Sequence, residues 1–108
     1  MALLAAVTAL IAGGHSDACT RPYCERRRHV VAPYEQKLER MAWCESRRRW
    51  HIATGNGFYG GLQFTYSTWR SVGGHGYPHE QKPLNQMYRA VLLIRRAGYV
   101  PWPVCGRA

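Results

Sequence analysis

Acidic residues are scarce in this sequence. Its 108 residues hold six Asp or Glu against fifteen Lys or Arg, a formal net charge of +9. From Arg40 onward ten basic residues accompany only two acids, Glu45 and Glu80. That scarcity limits the chemistry on offer, because the usual retaining and inverting glycosidases place two carboxylates at a set separation. Other absences exclude more. No tight Cys-x-x-Cys pair is present, so Cys19, Cys24 and His29 make a poor zinc set, and neither metal nor cofactor is expected. No serine or cysteine nucleophile pattern surrounds His51, His75 and His79, which read as exposed loop residues. The arginines fall in two clusters without a nucleic-acid-binding motif. Internal repeats and low-complexity tracts are absent, and the length allows one domain.

Long hydrophobic runs are also missing. The apolar stretch Ala2 to Ala12 is shorter than the ~20 residues a spanning helix needs. It fits the hydrophobic part of a secretory signal, with Ser16-Asp17-Ala18 or Ala12-Gly13-Gly14 as cleavage sites, although no Lys or Arg precedes it. A disordered N-terminus is the other reading. Residues 1–14 are therefore assigned to a signal or apolar N-terminus, 15–33 to a basic linker or loose arm, and 34–108 to the folded domain. Export and an even number of cysteines together suggest two disulfides.

What is present follows a clear order. After Pro33, Tyr34, Leu38, Met41, Ala42 and Glu45 recur at helical spacing. The run "TGNGFYGGLQF" is too rich in Gly and Asn for a helix, and its flanks predict a small β-hairpin. "TYSTWRSVGG" predicts a short helix capped by Thr65 or Ser67 and stopped by glycine. "GHGYPHEQKP" is a loop. Leu84, Met87, Tyr88, Val91 and Leu92 then mark the clearest helix, with Arg95 and Arg96 in its last turn and Gly98 as its C-cap. Pro101 and Pro103 forbid its continuation. The domain is thus α+β, mostly helical, with a short hairpin. A core this small usually needs a staple, and Cys44 and Cys105 stand near its two ends.

Glu45 draws attention by its place. At about 100° per residue it falls between Met41 and Ala42 on the apolar arc, not on the face where a solvated partner of arginine belongs. Burial and the negative end of the helix dipole both raise the pKa of such an acid, suiting it to donate a proton near neutral pH. Arg47, Arg48 and Arg49 act the other way if they face it. Flat rings and small polar groups suited to sugar follow: Trp50, Phe58, Tyr59, Tyr66, Trp69, Tyr77 and Trp102, with Asn56, Gln63 and Thr68.

"WCES…W…TGNGFYGGLQFTYSTWRSVGG", closed by "PWPVC", resembles the resuscitation-promoting factor domain, a transglycosylase-like family of actinobacterial cell-wall enzymes. The resemblance covers roughly Met41 to Gly106. It implies a lysozyme-like fold and cleavage of the β-1,4 bond between N-acetylmuramic acid and N-acetylglucosamine in peptidoglycan. It implies that Glu45 is the catalytic acid and that Cys44 pairs with Cys105, with Cys19 and Cys24 left as a second candidate pair. Substrate contacts carry over to Phe58, Gln63, Thr68 and Trp69, and to Thr54 and Asn56 of the "TGNG" run. The chain departs from the family at Arg47-Arg48-Arg49, where members usually have Gly-Gly-Asn. It departs again at Thr65, where some members are acidic, and in "YPHEQKPLNQ". These departures bear on cleft shape and substrate preference.

The expected partner is a peptidoglycan glycan strand, met by a secreted or wall-associated monomer without a membrane span. The arginines suggest anionic wall polymers as further partners. One acid suits a lytic transglycosylase, while hydrolysis by an activated water stays open. A non-catalytic wall-binding module is the alternative. Binding to nucleic acid or a membrane rests on charge alone, and specific nucleic-acid recognition is not expected.

Overall fold

A helix opens the described residues where a loose arm was expected. The computed structural model describes residues 22–108. Residues 1–14, the first part of the 15–33 segment, and Cys19 of the second cysteine pair lie outside them. Helix α1, Pro22–Val31, has almost no amphipathic pattern, which is why the sequence hid it. It is held by what it packs on. Val31 is buried, Arg27 Nη1 donates to Asn85 Oδ1 at 2.7 Å, and the Arg27 guanidinium lies 4.8 Å from the Tyr88 ring centroid.

A single 3-10 turn, Ala32–Tyr34, places Pro33 at the break and leads into α2, Glu35–Ser46. The predicted periodicity is what α2 uses: Leu38, Met41 and Ala42 are fully buried. Helix α3, Tyr66–Ser71, starts at Thr65, whose hydroxyl accepts from the Thr68 N–H. Helix α4, Pro83–Ala97, begins with a proline suited to its first turn and ends at Gly98 with φ 63°. Met87, Ala90, Val91, Leu93 and Ile94 of α4 meet Leu38, Met41, Leu62, Phe64, Trp69 and Trp102 in one core.

The expected β-hairpin does not form strands. It is reduced to two isolated antiparallel bridges, Ala53 with Tyr59 and Tyr59 with Phe64. Tyr59 and Phe64 exchange both backbone hydrogen bonds, at 2.8 and 3.0 Å, but the pairing stops there. Left-handed residues on either side, Gly57, Gly60 and Gln63, curl the chain before a second pair can form. The mostly helical domain is consistent with a lysozyme-like one.

Cys44 at the end of α2 is bonded to Cys105, with Cα atoms 5.6 Å apart. Closing a loop of this length contributes roughly 4 kcal/mol in the chain-entropy account. The staple draws the C-terminal segment, Trp102 included, against α2. Among the described residues no helix is long and apolar enough to cross a membrane.

Candidate active site

Glu45 sits in the last turn of α2, half-buried above Met41 and Ala42. Burial raises its carboxyl above the usual glutamate value. The nearby arginines do not offset this, and their own contacts show why. Arg47 folds back, with Nη1 donating to the Trp43 carbonyl at 3.1 Å and its guanidinium 5.1 Å from the Trp43 ring centroid. Arg48 pairs with Glu39 at 2.6 Å, and Arg49 Nε donates to the Ser46 carbonyl at 2.8 Å. All three are exposed.

The two residues flanking Glu45 tie it to two other segments. Ser46 Oγ donates to the Gly61 carbonyl at 2.9 Å, joining the end of α2 to the glycine-rich loop. Cys44 joins it to the C-terminal segment through Cys105. Those same two segments wall a cavity of about 60 Å³ lined by Phe58, Gln63, Phe64, Thr65, Thr68, Leu93, Pro101 and Trp102. Glu45 is not part of that lining; it stands where the two walls are fastened to α2.

Three of the expected substrate contacts, Phe58, Gln63 and Thr68, meet in this cavity. Phe58 is 45% exposed, so its ring is available to a ligand. Gln63 holds a left-handed backbone at φ 55°, and its side-chain amide donates to the Gly60 carbonyl at 3.0 Å. Thr65 Oγ1 donates to Thr68 Oγ1 at 2.9 Å, fixing the hydroxyl beside the cavity. Asn56 accepts from the Phe58 N–H at 3.1 Å, shaping the loop beneath that ring. Thr54 is exposed on the same loop.

Trp69 requires a correction. It was expected among the substrate contacts, yet it is only 1% exposed. Its ring packs edge-on against Phe64 at 5.3 Å and its Nε1–H donates to the His75 carbonyl. It supports the cavity from behind and has no face to offer a sugar. Trp102, one of the rings the sequence offered as suited to sugar, lines the cavity and donates Nε1–H to the Leu62 carbonyl at 2.9 Å. Glu80 is exposed and caps a 3-10 turn by accepting from the Tyr77 N–H. No group of metal-binding side chains occurs among the described residues.

A family model described as a transglycosylase-like domain matches residues 32–105. The chain belongs to this transglycosylase-like family, which includes the resuscitation-promoting factors. It is 51% identical over 69 residues to resuscitation-promoting factor Rpf of Micrococcus luteus, covering 64% of this chain and 31% of that protein. It is 42% identical over 86 residues to RpfE of Mycobacterium tuberculosis, covering 80% of this chain and 50% of the relative. RpfA of Mycobacterium tuberculosis matches at 44% over 81 residues, 72% of this chain and 20% of its own length. The chain thus spans half or less of each of these relatives. The transglycosylase-like match begins at Ala32, so α1 lies ahead of it.

Proposed function

We propose that the domain cleaves peptidoglycan at the β-1,4 bond between N-acetylmuramic acid and N-acetylglucosamine, with Glu45 as the general acid. The observation that carries this reading is a half-buried carboxyl, raised by desolvation, on a residue whose two neighbours, Cys44 and Ser46, are fastened to the walls of an aromatic and hydroxyl-lined cavity. A glutamic acid that keeps its proton above the usual range can protonate a leaving glycosidic oxygen.

Glu80 is committed to a turn and Glu39 to Arg48, so neither stands ready as a second acid. A single carboxyl serves a lytic transglycosylase. Glu45 protonates the glycosidic oxygen as the C1–O bond breaks. The resulting carboxylate then takes the proton of the muramyl 6-hydroxyl as that oxygen bonds to C1. The product is a 1,6-anhydro sugar, no water is consumed, and Glu45 regains its proton. Phe58 offers a ring face to the sugar, and Gln63 and Thr68 supply polar groups beside it. Family membership supports the substrate class.

Glu45→Gln keeps size and polarity and removes the acid. Soluble muropeptide release from purified peptidoglycan is expected to vanish while the circular dichroism spectrum is retained. Release at the parental rate refutes the assignment. Products lighter by one water than hydrolysed muropeptides identify the transglycosylase; products of full mass identify a hydrolase.

A further inference from the structure

Gln86 is a fully engaged polar side chain in the core. It is 0% exposed, in the middle of the buried face of α4. Its Oε1 accepts from the Gly61 N–H at 2.9 Å. Its Nε2 donates to the Trp50 carbonyl and to the Gln81 carbonyl, each at 2.8 Å. Every hydrogen of the amide is used, and three separate backbone segments converge on it. They are the chain leaving the arginine turn, the glycine-rich loop, and the approach to α4.

Gly61 is therefore held from both sides. Gln86 takes its N–H, and Ser46, the neighbour of Glu45, gives a hydrogen to its carbonyl at 2.9 Å. Ser46 is itself 4% exposed and accepts from the Arg49 N–H at 3.0 Å; the Ala42 carbonyl, at 3.2 Å, is a second and longer acceptor for its one hydrogen, so the Gly61 carbonyl is the nearer partner. Packing closes the arrangement. A Cβ on Gly60 would lie 2.5 Å from Gln86 Oε1, and one on Gly61 would lie 2.3 Å from the Trp50 ring. A side chain at either glycine would collide with Gln86 or Trp50, and drawing Gly61 away would break buried hydrogen bonds.

Resting on the reading of Glu45 as the acid, we propose that Gln86 is a positioning residue for the reaction: through Gly61 and Ser46 it fixes the end of α2, and so Glu45, against the loop that carries Phe58 and Gln63. Gln86 needs no contact with substrate. Its effect falls on how well the acid is aimed once substrate is bound, hence on kcat more than on KM. Displacements of about 1 Å at a reacting group lower rates about 100-fold.

The test uses Gln86→Met, Gln86→Glu, Ser46→Ala and the Gln86→Met/Ser46→Ala double variant of the full chain. All are assayed on soluble, uncrosslinked glycan strands well below their melting temperatures, with Glu45→Gln alongside. Gln86→Met is expected to lower kcat about 10- to 100-fold with KM within about twofold of the parent. Gln86→Glu keeps the acceptor for the Gly61 N–H but sets an oxygen against the Trp50 and Gln81 carbonyls, so it should lower kcat as well. Ser46→Ala should lower kcat too. The double variant should fall short of the product of the two single losses, since both act through Gly61. Parental kcat in folded Gln86→Met, with Glu45→Gln inactive, overturns the role of Gln86 and leaves that of Glu45 standing. Parental activity in Glu45→Gln overturns both. If Gln86→Met does not fold, Ser46→Ala reads the same clamp from its other side, and parental kcat there overturns the proposal.

Discussion

The arginine turn after α2 and the glycine-rich loop both run through left-handed backbone, and they fill it in opposite ways. Arg47 and Arg48 each sit at φ 59°, where glycine is the usual occupant. In the loop, Gly60 at φ 81° and Gly61 cannot be anything else, because Gln86 and Trp50 occupy the space a Cβ needs. The difference lies in what surrounds the backbone. At the turn the side chains leave into solvent, so the strain is of order 1–2 kcal/mol per residue and nothing collides. In the loop the neighbours are buried rings and a satisfied amide. Conformation alone tolerates arginine; close packing does not. Glu45 stands at the junction, with the open turn on one side and the packed loop on the other.

Substitutions at each place should separate the two cases. The largest effect is expected from Gly61→Ala, which drives a methyl into the Trp50 ring. A loss of about 3 kcal/mol in denaturant unfolding is predicted, with loss of activity. A loss below about 1 kcal/mol would mean the loop is looser than its packing indicates.

A smaller shift is expected at the junction. Burial lets folded Glu45 keep a proton that the unfolded chain has already released, so stability falls as pH rises through that window. Above it the ionised carboxylate is a liability. Glu45→Gln should therefore melt higher than the parent at neutral pH, and the gain should shrink as pH falls below the ordinary glutamate pKa. A lower melting temperature at neutral pH contradicts this. The kcat profile has the corresponding sign, with activity persisting to higher pH than an ordinary glutamic acid allows and failing above that.

The smallest effect belongs to the arginine turn. Arg48→Gly relieves left-handed strain but gives up an exposed pair with Glu39, worth about 0.2–1 kcal/mol. Its stability should stay within about 1 kcal/mol of the parent, on the favourable side. A loss beyond that would show that the Arg48–Glu39 pair holds the turn.

Much of this was legible in the sequence, and the misses share a cause. Helices α2, α3 and α4 declared themselves through apolar spacing, the Thr65 cap, and Gly98. Helix α1 did not, because its stability comes from Arg27 and Val31 meeting α4 and not from a pattern of its own. The hairpin was overread because the spacing of Gly57, Gly60 and Gln63 decides whether a ladder can propagate, and that requires backbone angles. Trp69 was counted among the substrate contacts through the family resemblance, and an aromatic's burial cannot be read from its neighbours in sequence. Gln86 was overlooked although its signal was the one that revealed Glu45. At about 100° per residue it falls between Leu93 and Ala90, a polar group on an apolar arc. On α2 that pattern marked an acid with its solvation partly removed; on α4 it marked an amide with every bond made.

The central claim is that burial lets Glu45 keep its proton above the ordinary glutamate value. Side-chain carboxyl carbon NMR, followed through a pH titration, measures this directly for Glu25, Glu35, Glu39, Glu45 and Glu80 in one sample. The predicted result is a midpoint for Glu45 above the ordinary glutamate value. A midpoint at or below that value would contradict the account.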